Sequence, residues 1–216
     1  MTAQISDKFR YGRKSHSLAG INGSGLFDPA QHGIMPIPHS TNCWRGYYCT
    51  YEVRGGALLL TEVHLSLGEG DQAAAARGEG PVLFGKVPWQ YTEPGWRERL
   101  YAWWRGGVTT SRKSSYFKID GIREPIPFTG GLLLGGDLIR EMHVRMGFDP
   151  AYKFRTVHEL VFDSGRLIEE HDRSAQMAEL RELISSMPLK PGLQASRAEI
   201  EEWINRCFSL EYKDWP

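Results

Sequence analysis

The sequence predicts a mainly β fold of the α+β class: an antiparallel barrel-like or sandwich domain over residues 1–172, with a helical extension over residues 173–216 packed on it. Three observations carry this expectation. Aromatic residues make up 12% of the chain, beside 24 Gly and 12 Pro, a composition suited to short strands joined by tight turns. Several runs alternate apolar and polar with the period of two that a half-buried strand requires. After residue 172 the period becomes that of a helix.

Residues 8–11 and 15–21 flank Gly12-Arg13-Lys14 and read as a first hairpin, followed by a Gly- and Pro-rich loop over residues 23–38. Residues 48–54 place Cys49, Tyr51 and Val53 on one face and Thr50, Glu52 and Arg54 on the other. Gly55-Gly56 then closes a hairpin, because both positions can take positive φ. In the return strand, residues 57–67, Leu58 and Leu60 are out of phase with Val63, Leu65 and Leu67. A one-residue slip exchanges the faces, so a β-bulge or break is expected at residues 60–62.

Residues 68–95 hold two acidic-glycine stretches around four alanines and read as a mobile surface segment, with a short strand at 82–87. Residues 96–105 suit a short helix or a strand. A second hairpin is expected across Asp120-Gly121, from residues 116–119 and 122–128. A helix is expected at residues 137–146, with Asp137 as its N-cap and Gly147 just past its end. Residues 154–162 and 166–172 read as a third hairpin. Two helices follow, 174–187 with the stripe Met177, Leu180, Leu183 and Ile184, and 196–208 opened by a Ser196/Glu199 capping box. Phe27-Asp28-Pro29-Ala30 recurs as Phe148-Asp149-Pro150-Ala151, which raises the reading of two related half-units.

Lys+Arg and Asp+Glu are each 26, so no net field draws the chain to nucleic acid or to an anionic membrane. Three cysteines, Cys43, Cys49 and Cys207, do not make a disulfide framework. The first ten residues carry Asp7, Lys8 and Arg10 and lack the apolar stretch of a secretory leader, and no apolar run approaches a membrane span. The expected location is cytoplasmic.

Four segments carry candidate chemistry. In the first, His39 lies near Cys43, with Arg45 able to favour a thiolate. The same residues also suit a loop entering a buried strand. In the second, a regular hairpin would set His158 opposite His171, with Glu169 one position along, a set able to ligate a transition metal. Leu160, Phe162 and Leu167 on that face equally describe a core with a polar end. In the third, glycines over residues 129–137 could cradle an anion, but Gly136 and Asp137 stand where a phosphate loop needs Lys and Ser or Thr. The fourth interleaves aromatic and cationic residues: Trp96, Arg99, Tyr101, Trp103, Trp104 and Arg105, to which Trp44 and Arg45 add a second pair. Such residues suit a protein interface, a stacked single strand or nucleotide, or an aromatic wall of the core.

No zinc-ligand cluster, nucleophile elbow, dinucleotide fingerprint or diagnostic carboxylate pair occurs. The expectation is therefore a non-catalytic protein-interaction or accessory module, of a regulatory or immunity type, with no cofactor and another protein as partner. A β-barrel holding a small ligand is the first alternative. An enzyme using Cys43 with a histidine, or a metal at His158 and His171, is the second.

Overall fold

The computed structural model describes residues 2–38, 40–94, 111–143, 146–185 and 195–213, with 91–94, 111–115 and 185 at the level of the backbone. The described strands are β1 (Lys8–Tyr11), β2 (Lys14–Ser24), β3 (Tyr47–Arg54), β4 (Ala57–Leu65), β5 (Trp89–Pro94), β6 (Ser111–Ile119), β7 (Glu124–Pro125), β8 (Thr129–Leu138), β9 (Phe154–Asp163) and β10 (Arg166–Asp172). The described helices are α1 (Glu69–Ala76), α2 (Ser174–Ser185) and α3 (Arg197–Phe208).

Seven strands close a barrel in the order β10-β9-β8-β2-β1-β3-β4. The ring shuts where Arg166 pairs with Ala57, flanked by hydrogen bonds from Leu58 N to Gly165 O (2.9 Å) and from Leu167 N to Gly56 O (2.8 Å). Six of these neighbouring pairs are antiparallel, and β1 runs parallel to β3, so the barrel is mixed. A parallel pair needs a long connection. Residues 25–46 supply it, turning through a 3₁₀ segment, Pro29–His32, whose N-terminus Asp28 caps through its side chain to Ala30 N at 3.0 Å.

The β3–β4 hairpin turns on Gly55 and Gly56, at φ 58° and 76°. Its register slips between Thr50↔Glu62 and Tyr51↔Leu60, leaving Thr61 as the extra residue. That bulge is what lets Leu58 and Leu60, then Val63 and Leu65, all enter one core. The interior is filled by side chains with no measurable exposure, among them Phe9, Leu18, Tyr51, Leu60, Leu134 and Leu160. Outside the barrel, α2 sets Met177 against Ala19, Leu133, Phe154 and Val157 in a second, smaller core.

Several sequence expectations are corrected. Residues 116–128 do not form a hairpin: β6 and β7 both pair with β4, as one interrupted strand that bends where Ile122 N donates to Thr61 O. Residues 82–87 form a tight turn closed by a Leu83–Lys86 bridge, with Phe84 at φ 50°, rather than a strand. The expected helix at 137–146 is overridden because β8 continues to Leu138, paired with Phe154, and among the described residues up to 143 only the short 3₁₀ segment Arg140–Met142 follows. Four alanines in residues 68–95 lie in α1. The capping box at Ser196 and Glu199 is present on α3.

The chain after α3 returns to the barrel. Ile21 N donates to Leu210 O (2.6 Å) and Tyr212 N to Ile21 O (3.1 Å), along the edge of β2 that β1 leaves uncovered. Tyr212 then lies across Gly20 and Gly131, and its hydroxyl donates to the buried Glu159 at 2.8 Å. Arg173 donates to the other oxygen of Glu159 at 2.7 Å.

Candidate functional site

The site is built around residues 34–46. Ile34 is buried, whereas Met35, Ile37 and Trp44 are exposed to 69%, 48% and 45%. Ile37 N donates to Ser66 O and Ser66 N to Gly46 O, both at 2.8 Å, so the segment is stitched to the end of β4. It crosses directly over Gly46, which sits at φ 72°; a Cβ there would lie 2.8 Å from Ile37 O. Only glycine lets the two chains approach this closely. Pro36 and Pro38 flank Ile37 and narrow its backbone freedom.

Trp44 is placed from two sides. The Gln4 side chain accepts from Trp44 N at 3.0 Å and donates to Thr41 O at 2.9 Å, which pins the loop to the N-terminal segment. The indole stacks on Phe208, the last residue of α3, with centroids 4.5 Å apart and planes within 7°. Phe208 in turn lines an open cleft of about 550 Å³ with Ile21, Gly23, Ser209 and Leu210. The Trp44–Phe208 stack thus joins this loop to the C-terminal tail, while Ile37 stands at the β4 end.

Arg45 has a different job. Its guanidinium makes two hydrogen bonds, at 2.9 and 3.3 Å, to the carboxylate of the buried Asp7, and it lies 4.9 Å over the Tyr47 ring. Asp7 also accepts from Cys49 N at 2.8 Å. Burial alone would make Arg45 easier to deprotonate, but the Asp7 carboxylate outweighs it and holds the group above its ordinary value. The pair ties β1, β3 and the Trp44 loop together.

The two cysteines of this region are buried. Cys43 is buried, its thiol faces Tyr47 O at 3.4 Å, and burial pushes its pKa up against the opposing effects of Tyr116 and Arg45. Cys49 is fully buried and raised further, again by desolvation first. A raised thiol is the reverse of what a nucleophile needs. His39 lies outside the described residues, as do Trp96, Arg99, Tyr101, Trp103, Trp104 and Arg105.

The proposed metal set does not assemble. The β9–β10 hairpin closes as expected at Asp163 and Arg166, but Ile168 bulges out between Leu167 and Glu169. Every later residue therefore shifts by one. Asp172, not His171, faces His158, and His171 falls opposite Glu159 and pairs with Glu169 at 3.0 Å. Among the described residues, no group of three or more His, Cys, Asp or Glu is placed to hold a metal ion. Residues 129–137 lie in β8 rather than in an anion-binding turn.

Sequence reasoning missed the exposed Met35 and Ile37, and Phe208 as the stacking partner of Trp44. The first two sat in what reads as a bland loop, where only the Met-Pro-Ile-Pro order, apolar side chains on stiff backbone, hinted at a displayed surface. It also missed His16, which the fold carries to the end of the barrel beside His158.

Among the described residues no helix is long and apolar enough to cross a membrane. Comparison with protein-family models, with curated proteins and with solved structures finds no match.

Proposed function

We propose that this chain is a non-catalytic protein-interaction module, accessory or regulatory in kind, that docks another protein through the surface of Met35, Ile37 and Trp44. The observation that carries the reading is the exposure of these three large apolar side chains on a segment fixed by prolines and backbone hydrogen bonds. Aromatic residues and Met are enriched at the cores of protein interfaces, and Trp is prominent among the residues that dominate binding. A segment already held in place loses little conformational entropy on docking. The filled barrel interior favours this reading over a ligand enclosed within the barrel, since a barrel that encloses a ligand needs space where Phe9, Tyr51 and Leu160 pack.

The test is a photo-crosslinking amino acid placed at position 37 or 44, in the full chain, in cells of its own source. A control carries it at Glu169, on the outer face of β10. A discrete protein adduct at 37 and 44, absent at 169, is the expected result. Adducts at none of the positions, or the same adducts at all three, would sink the proposal.

A further inference from the structure

One end of the barrel holds two histidines on its interior face. His16 lies opposite Phe9 in the β1–β2 ladder and shares its face with Leu18. His158 shares its face with Leu160 and Phe162. Their rings meet edge to face, with centroids 5.6 Å apart, and the Tyr11 ring sits 6.0 Å from His158 and 6.5 Å from His16. His16 is only 5% exposed. Its Nδ1 is buried without a hydrogen-bond partner and lies over Gly136, where a Cβ would stand 3.3 Å away.

The groups facing this pair come from every neighbouring strand: Tyr11 from β1, Lys14 from β2, Asp137 from β8, His158 from β9, and Glu170 and Asp172 from β10. The carboxylates are unevenly shared. Glu170 lies 3.8 Å from His158 Nδ1 and accepts from the Tyr11 hydroxyl, and Asp172 faces His158 across the ladder. Neither His16 Nδ1 nor His158 Nδ1 has a hydrogen-bond partner. Burial, then His158, hold it below the ordinary histidine range, with Lys14 adding to this and the Tyr11 backbone and Asp137 opposing.

We propose that the histidine pair is an acid-operated catch on the tip of the β1–β2 hairpin. With His16 neutral, the tip is seated against β8 and β9. A proton on His16 leaves a buried N–H⁺ without an acceptor and next to a second imidazole. His16 therefore takes its proton with residues 11–17 lifted. The hinge is the point between Leu18 and Gly20 where the β2–β8 register shifts.

Hydrogen exchange on the full chain from pH 7.5 to 5 tests this, with rates converted to protection factors to remove the intrinsic pH dependence. The amides of His16 and Ser17 should lose protection relative to those of β3 and β4 as pH falls below about 6.5, by up to about tenfold per pH unit, the limit for one proton. His16→Gln should flatten that profile, and His171→Gln, at an exposed position of β10 outside the pair, should leave it unchanged. A wild-type tip whose protection stays in constant ratio to β3 and β4, or the same loss in His16→Gln, overturns the proposal. If His16→Gln does not fold, the NMR titration of His16 in the wild type decides: a midpoint below that of a histidine peptide supports the catch, and one at or above it ends the idea.

Discussion

Tyr212 and Gly131 should behave as one unit. The Tyr212 hydroxyl donates to Glu159, a buried carboxylate that keeps Arg173 as its second partner. Tyr212→Phe removes one hydrogen bond to a charged group, at a cost of about 1.5–3 kcal/mol. For a chain of this size that lowers Tm by roughly 3–12 °C. Gly131→Ala reaches the same contact from the other side, because its Cβ would overlap the Tyr212 oxygen. The next atom it meets is Tyr212 Cζ at 3.3 Å, which must give by a few tenths of an ångström. Gly131→Ala alone must therefore push the ring off Glu159 and cost at least as much as Tyr212→Phe. With the hydroxyl already gone, only that small shift of the ring is left, so the double variant should cost little more than Tyr212→Phe alone. Urea denaturation of the four proteins gives the cycle. The expected coupling is sub-additive by at least about 1 kcal/mol, well outside the few tenths seen for independent sites. Additive costs, or a Gly131→Ala variant as stable as wild type, would refute the tail packing described for residues 210–212.

Other outcomes follow from the same geometry. Trp44→Ala removes one aromatic stack at a half-exposed site and should cost no more than about 1.5 kcal/mol by urea denaturation, while its partner capture is lost. Arg45→Ala leaves Asp7 buried and half-satisfied and should cost about 3 kcal/mol; adding Asp7→Asn should recover part of it, and no recovery would count against the ion pair as the cause. His64 is held at about 4, chiefly by burial and then by Lys118. A depressed histidine binds its proton more readily when unfolded. Its contribution is thus complete above the unfolded value near 6.5 and is lost as pH falls from there toward 4, by about 2 kcal/mol once solvent screening is allowed for. His64→Gln should flatten that part of the stability–pH curve.

Where the sequence could be read, the reason is local. Paired glycines at 55–56 require a turn whatever surrounds them, and the phase clash between Leu60 and Val63 is a bulge written in the side chains themselves. The Ser196/Glu199 box needs only its own four residues. What was not legible depends on partners remote in the chain. Nothing between Asp163 and Asp172 announces that Ile168 will bulge, and that one residue separates His171 from His158. Asp137 reads as a helix cap until β9 extends β8 past it. The exposure of Met35 and Ile37 is likewise set by a crossing over Gly46 that no periodicity encodes.

The most direct measurement is native mass spectrometry of the chain isolated from its own source, run in parallel on wild type and on a Met35→Ser, Ile37→Ser, Trp44→Ser variant. All three positions are exposed, so the variant should keep the fold. Wild type should be recovered as a complex carrying a second protein, and the variant at the 24.5 kDa of the bare chain. A protein partner retained equally by both, or a small molecule retained in place of a protein, would contradict the proposed docking.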